Sequence, residues 1–246
     1  MKKLAITIFC ILVLGTVCAN AQLQSTPVPQ LVHGNGHYSL IVDGAPYLIQ
    51  EGLNTIEVSV NLSDLRGTCD FAYVQKFMDV ARENDLRLIL LLSPQYVRPM
   101  KKEAKAYTAL MRYLKENDNC HTVIMVQVDS GPAVEAPDYG KAAAKLFGQE
   151  VPYALMKPSV LKALGVDTEI QAGSWLEVFG EKAEEYFRTW YEASYINYVA
   201  EAGRKINRLP VYVIADAAVK AGADDYVAPI YKAVAPAVDL RTPDIY

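Results

Sequence analysis

The sequence predicts an α/β fold built on parallel strands, and three observations carry that prediction. Leu86–Leu92, His121–Asp129 and Pro210–Ala215 are apolar on both faces, as strands covered on two sides must be. Between and around them, Phe71–Asn84, Glu103–Glu116 and Tyr139–Phe147 repeat their apolar residues at helical spacing. Ahead of this alternation, Tyr38–Val42 and Pro46–Ile49 flank Asp43-Gly44, the two-residue signal of a β-hairpin.

The elements follow in chain order. Lys2 and Lys3 precede an apolar run from Leu4 to Cys18, and Ala19-Asn20-Ala21 is a small-x-small cleavage site, so residues 1–21 read as a secretory signal peptide. The run is too short for a spanning helix and no stop-transfer charges follow it, so no membrane association is expected after cleavage. Residues 22–36 are expected as an extended N-terminal arm, with Gly34-Asn35-Gly36 an ordinary turn, and residues 37–246 as one domain without repeats or linkers.

Six strands are expected: Tyr47–Gln50, Asn54–Val60, Leu86–Leu92, His121–Asp129, Pro210–Ala215 and Val238–Tyr246. That is about six β/α units, two short of a closed eight-fold barrel. The same rhythm also suits a doubly wound sheet, although no glycine-rich phosphate turn stands between a strand and a helix. Ser174-Trp175-Leu176-Glu177 is a capping box that opens a helical region to about Ile206, with Gly180 a break inside it. Tyr186, Phe187, Trp190, Tyr191, Tyr195 and Tyr198 recur along it at spacings of three and four, the pattern of a packing stripe. Ala228–Val234 is the last helix.

The net charge of −4, made more negative by loss of Lys2 and Lys3, suits neither nucleic acid nor an anionic membrane. Cleavage would leave Cys69 and Cys120, either as a bridge or as two thiols, and one possible pair is not a disulfide scaffold. His33, His37 and His121 lack metal-ligand spacing, and no metal or other cofactor is expected. No Gly-x-Ser-x-Gly elbow is present for acyl transfer.

Five blocks together resemble a known family. Val42-Asp43-Gly44-Ala45-Pro46-Tyr47-Leu48, Gly52-Leu53-Asn54-Thr55-Ile56-Glu57-Val58, Ile124-Met125-Val126-Gln127-Val128, Ser174-Trp175-Leu176-Glu177-Val178-Phe179-Gly180 and Thr242-Pro243-Asp244-Ile245-Tyr246 look, in that order, like blocks of the β-galactosidase-like glycoside hydrolases of clan A. The resemblance implies an exported protein of carbohydrate metabolism on a TIM barrel, shortened here to about six units. It also implies a retaining pair of glutamates, the acid/base after strand four and the nucleophile after strand seven, about 5–5.5 Å apart.

This chain departs from that pattern at each part of the site. Where the family has a strand resembling Gln-Val-Glu-Asn-Glu, the chain has Gln127, Val128, Asp129, Ser130 and Gly131, so the acid/base position is Gly131. Asp129 shares a strand face with Gly131, but sits about 6–7 Å lower and is a stand-in only after rearrangement. The pocket segments Ile49–Gly52, Asn61–Gly67 and Leu92–Tyr96 are short, and the sequence stops at Tyr246 before any strand seven. Ser130, Asp216, Asp244 and Tyr246 are the expected sugar-contacting residues, at or beyond strand ends. The expectation is a glycosidase-like protein without hydrolysis, the alternative a non-catalytic glycan-binding or interaction module; the partner expected, if any, is carbohydrate.

Overall fold

The computed structural model describes residues 26–61, 70–93, 100–128, 141–214 and 225–242. Its first unit is a three-stranded antiparallel sheet of β1 (Gln30–Gly34), β2 (His37–Val42) and β3 (Ala45–Pro46). Two turns fold it. Asn35 and Gly36 have φ of 52° and 79°, Asp43 and Gly44 of 52° and 81°. Positive φ at both central residues is what a tight hairpin turn demands, and Asn-Gly and Asp-Gly meet that demand at little cost. Part of the expected extended arm is therefore the strand β1, paired with β2 from Gln30 opposite Ile41 to Gly34 opposite His37.

The second unit is a sheet of five parallel strands: β4 (Thr55–Asn61), β5 (Arg87–Ser93), β6 (Val123–Val128), β7 (Val211–Ile214) and β8 (Leu240–Thr242). Helices connect them: α1 (Ala72–Glu83), α2 (Met100–Asn117), α3 (Lys141–Phe147), α4 (Pro158–Ala163), α5 (Trp175–Phe179), α6 (Ala183–Arg204) and α7 (Ala228–Val234). Among the described residues, five parallel strands stand where six were expected. Tyr47–Gln50 is a loop, because the Asn54 side chain captures it, accepting from the Gln50 N–H at 2.8 Å and donating to the Leu48 carbonyl at 2.9 Å.

Spatial order follows chain order without reversal, β4-β5-β6-β7-β8. Crossovers of one hand place α1, α2, α6 and α7 on one face. Val58, Val60, Leu88, Leu90, Leu92, Val126, Val211 and Val213 pack there against Met78 of α1, Tyr107 and Leu110 of α2, Ile196 of α6 and Tyr231 of α7. A doubly wound sheet would carry helices on both faces. Here the other face meets the hairpin sheet, Leu40 and Val42 packing on Ile89, Ile124, Met125 and Tyr212. The described strands form an open sheet; a closed barrel is not formed by them.

Two acidic side chains pin the N-terminal ends of the strands. Asp118, after α2, accepts hydrogen bonds from the backbone N–H groups of Thr122 at 2.9 Å and Val123 at 2.7 Å, and pairs with Arg82 of α1 at 2.9 Å. Asp239, ahead of β8, accepts from the Val211 N–H at 2.9 Å and pairs with Arg204 of α6 at 2.8 Å. The same solution recurs: an arginine in a helix's last turn and an aspartate before a strand satisfy backbone donors at the sheet's end.

A second core lies between β6 and β7 in sequence, where α3 to α6 gather Trp175, Phe179, Tyr186 and Phe187. The capping box is present, with the Ser174 N–H donating to Glu177 Oε2 at 2.8 Å and the Glu177 N–H to Ser174 Oγ at 3.4 Å. Gly180 has φ of 54° and ends α5, and a 3₁₀ turn, Gly180–Lys182, leads into α6. The aromatic stripe is packing: Tyr186, Phe187 and Tyr195 are buried, and the Trp175 and Phe187 rings meet edge-on at 5.1 Å. Tyr198 alone of the stripe is exposed.

The α2–α6 contact hangs on a glycine. A Cβ on Gly203 would stand 2.3 Å from Cε1 of the fully buried Tyr107 and 2.9 Å from Met111 Cγ. Burial, with Asp239 nearby, also pushes the Tyr107 hydroxyl pKa upward. Gly203→Ala is expected to lower stability by about 1–3 kcal/mol in urea unfolding, since the helices must part; an unchanged midpoint would show that they are not in contact there.

His121, at φ of 48°, lies at the foot of β6 and ties three elements together. Its Nδ1 is 3.0 Å from Thr26 Oγ1 and 3.9 Å from Asp43 Oδ1, while Arg87 donates to the Cys120 carbonyl at 2.7 Å and pairs with Asp43 at 2.5 Å. Burial lowers its pKa below the ordinary histidine value, more than Asp118 and Asp43 raise it, with Arg87 adding to the lowering. The folded chain therefore binds this proton less readily than the unfolded chain. Its contribution to stability is complete above about pH 6.5 and declines as pH falls through that value toward the folded pKa. His121→Asn, tolerant of positive φ, should flatten the stability profile between about pH 7 and 5 in denaturant titrations; an unaltered slope would remove His121 as the cause.

Candidate functional site

In a sheet of parallel strands the usable surface lies toward the carboxyl ends. Strand register assigns that surface here. Ser59 pairs with Leu91, Leu91 with Gln127, Gln127 with Tyr212 and Tyr212 with Leu240, a row across all five strands. Glu57, Ile89 and Met125 lie one row lower, and Asn61 one row higher, as do Ile214 and Thr242. Residues of one parity share a face, so all of these belong to the face that the hairpin meets. β6 keeps step despite one extra residue between its pairings with Leu88 and Ile89.

This inner face changes character along the strands. At its base, Ile89, Ile124 and Met125 are buried against Leu40 and Val42. Tyr47 closes the base, donating to the Asn54 carbonyl at 2.9 Å and lying 3.0 Å from the hydroxyl of the fully buried Thr55. Glu57 lies in the same row as Ile89 and Met125, and higher up the chain places Ser59, Asn61, Gln127, Tyr212 and Thr242, with Leu91 and Ile214 among them. Gln127 is 2 % exposed and Tyr212 8 %, whereas Ser59 is exposed.

One contact reports the curvature of the sheet. The Tyr212 hydroxyl donates to Glu57 Oε1 at 3.4 Å, joining β7 to β4 over the two strands between them. Three strand spacings in a flat sheet amount to about 14 Å, so the face is concave. Tyr212 belongs to the buried cluster of Ile89, Met125, Leu40 and Val42, and Gln127, in register with it on β6, is buried as well. Among the described strand residues of this parity Glu57 is the single carboxylate and Arg87, at the foot of β5 and paired with Asp43, the single cation.

All of the site residues expected from sequence lie outside the described residues. Asp129, Ser130 and Gly131 directly follow β6; Asp216 comes two residues after β7; Asp244 and Tyr246 follow β8. Cys120 is exposed, and Cys69 is outside the described residues. Sequence reasoning missed Glu57, Gln127 and Tyr212. The available signal was a charged or amide side chain inside an otherwise apolar strand, which has to face something polar.

A cleft of about 590 Å³ opens elsewhere, between α3 and the start of α6, over Ala143, Phe147 and Phe187. Its walls are helical and its polar residues are rim charges, with Glu185 paired to Lys182 at 3.0 Å and bonded to Tyr226. Among the described residues no group of three His, Cys, Asp or Glu side chains could hold a metal ion, and no helix is long and apolar enough to cross a membrane.

Compared with known proteins, the chain matches no family model and no curated protein. A solved structure that it is similar to is an endocellulase from Pyrococcus horikoshii in complex with cellotetraose, at 12 % identity and a TM-score of 0.36 over 72 % of this chain and 46 % of that one. The chain thus spans about half the length of that enzyme. The likeness is to a glycoside hydrolase of α/β architecture, and at that score it decides neither fold nor activity.

Proposed function

We propose that this chain is an exported relative of β-galactosidase-like glycoside hydrolases that meets carbohydrate without hydrolysing it. The observation that carries the reading is Gly131 at the position where the family has its acid/base glutamate. Retaining hydrolysis needs two carboxyl groups about 5–5.5 Å apart, one to protonate the leaving oxygen and one to attack the anomeric carbon. Among the described residues, Glu57 accepts a hydrogen bond from the hydroxyl of Tyr212. Gly131 has no side chain to hold a proton.

Asp129, Ser130, Asp216, Asp244 and Tyr246 would frame the rim of the same surface, each following the carboxyl end of its strand. Localisation follows from the N-terminal sequence, where Lys2, Lys3 and the apolar run to Cys18 have the form of an export signal.

The assay is direct. Purified protein incubated with a nitrophenyl β-galactoside is expected to release no nitrophenol above the buffer rate between about pH 4 and 8. Turnover by the wild-type chain that disappears in Asp129→Asn would overturn the reading and make Asp129 a catalytic residue.

A further inference from the structure

Helix α1 is partnered on two of its sides. Val74, Met78 and Ala81 are buried against the sheet. Gln75 and Arg82 turn toward α2 and the segment after it: the Tyr113 hydroxyl donates to Gln75, and Arg82 pairs with Asp118 at 2.9 Å. Because α2 connects β5 to β6, it lies on the side of α1 away from β4. The remaining flank of α1 therefore faces outward past β4, the first strand of the sheet.

That flank is apolar. Tyr73, Phe77 and Val80 stand at i, i+4 and i+7, one line along the helix, and Tyr73 is 55 % and Val80 45 % exposed. The Tyr73 and Phe77 rings meet edge-on at 4.9 Å, which makes the line a ridge. The same edge is apolar at the foot of β4. There the Asn54 carbonyl accepts from Arg87 of β5, so the next carbonyl, that of Thr55, points to the free side, where it accepts from the Gly52 N–H at 2.9 Å. The loop on that side carries Leu53, 76 % exposed.

We infer that this edge is a self-association surface, on which a second copy of the chain packs its own α1 antiparallel to the first about a twofold axis. Charge selects that occupant. Lys76 and Glu83, both exposed and without an ion pair among the described residues, lie beside the ridge on the side of α1 away from the sheet. Two turns of helix, about 10 Å, keep them apart within one chain. An antiparallel copy sets each Lys76 near the other copy's Glu83, so one patch complements itself and two bridges close. A uniformly acidic or basic partner would instead leave one of the two charges facing its like. Phe77 and Val80 then meet across the axis. A twelve-residue helix flank is at the small end of specific interfaces, below about 1,200 Å² in total, so the dimer dissociates on dilution.

Sedimentation velocity of the purified chain from about 1 to 200 μM tests this, and a reversible passage from monomer to dimer is expected. Val80→Glu, at an exposed position and with unchanged circular dichroism, should weaken dimerisation more than about tenfold by placing two carboxylates at the axis. Lys76→Glu and Glu83→Lys should each weaken it about fivefold, the size of two exposed ion pairs. Lys76→Glu combined with Glu83→Lys should restore it, since the pairs are then exchanged rather than lost. A monomer at every concentration, a dimer indifferent to Val80→Glu, or a double change no better than either single one overturns the inference.

Discussion

A sheet of parallel strands has two faces, and each has to be covered. Helices cover one face of this sheet, and because the strands follow one another without reversal, no helix is left for the other. That constraint organises the molecule. In a closed barrel the inner face is filled by its own side chains from all sides. In the open sheet described here the antiparallel hairpin does this work, with Leu40 and Val42 against Ile89, Ile124 and Met125. Beyond these residues the described face turns from apolar to polar side chains, among them the buried Gln127 and the exposed Ser59.

The two ends of the sheet thereby acquire different duties. At the amino ends, Asp118 with Arg82 and Asp239 with Arg204 satisfy backbone donors, and Arg87, Asp43, His121 and Thr26 bind the hairpin and the chain before it to the foot of β6. These charges are spent on backbone and on one another. At the carboxyl ends the side chains point at one another across a concave surface, and Glu57 and Tyr212 meet over two intervening strands. Stability at the foot and chemistry at the mouth is the division expected of sheets of this type.

Much of the architecture was legible in the sequence, and the exceptions have particular causes. The strands of the parallel sheet were readable because runs such as Leu86–Leu92 and Val123–Val128 are apolar on both faces, and Ser174 with Glu177 announced its helix. Tyr47–Gln50 has strand-like alternation, yet Asn54, four residues beyond Gln50, takes its backbone groups away from any ladder. Asn35-Gly36 was read as a turn without its second strand, since Gln30–Gly34 shows no clear alternation and pairs through its neighbour. Glu57 and Tyr212 could not be linked, because their separation of 155 residues closes only through the curl of the sheet. Gly131, where the family resemblance expects an acid/base glutamate, lies outside the described residues.

The curl itself is the central claim, and a double-mutant cycle of Glu57→Gln and Tyr212→Phe by urea unfolding measures it most directly. A coupling of about 0.5–1.5 kcal/mol between the two positions is predicted, the size of one hydrogen bond across the inner face. Additive effects, as for residues more than about 7–10 Å apart, would contradict a sheet curved enough to bring β4 and β7 together.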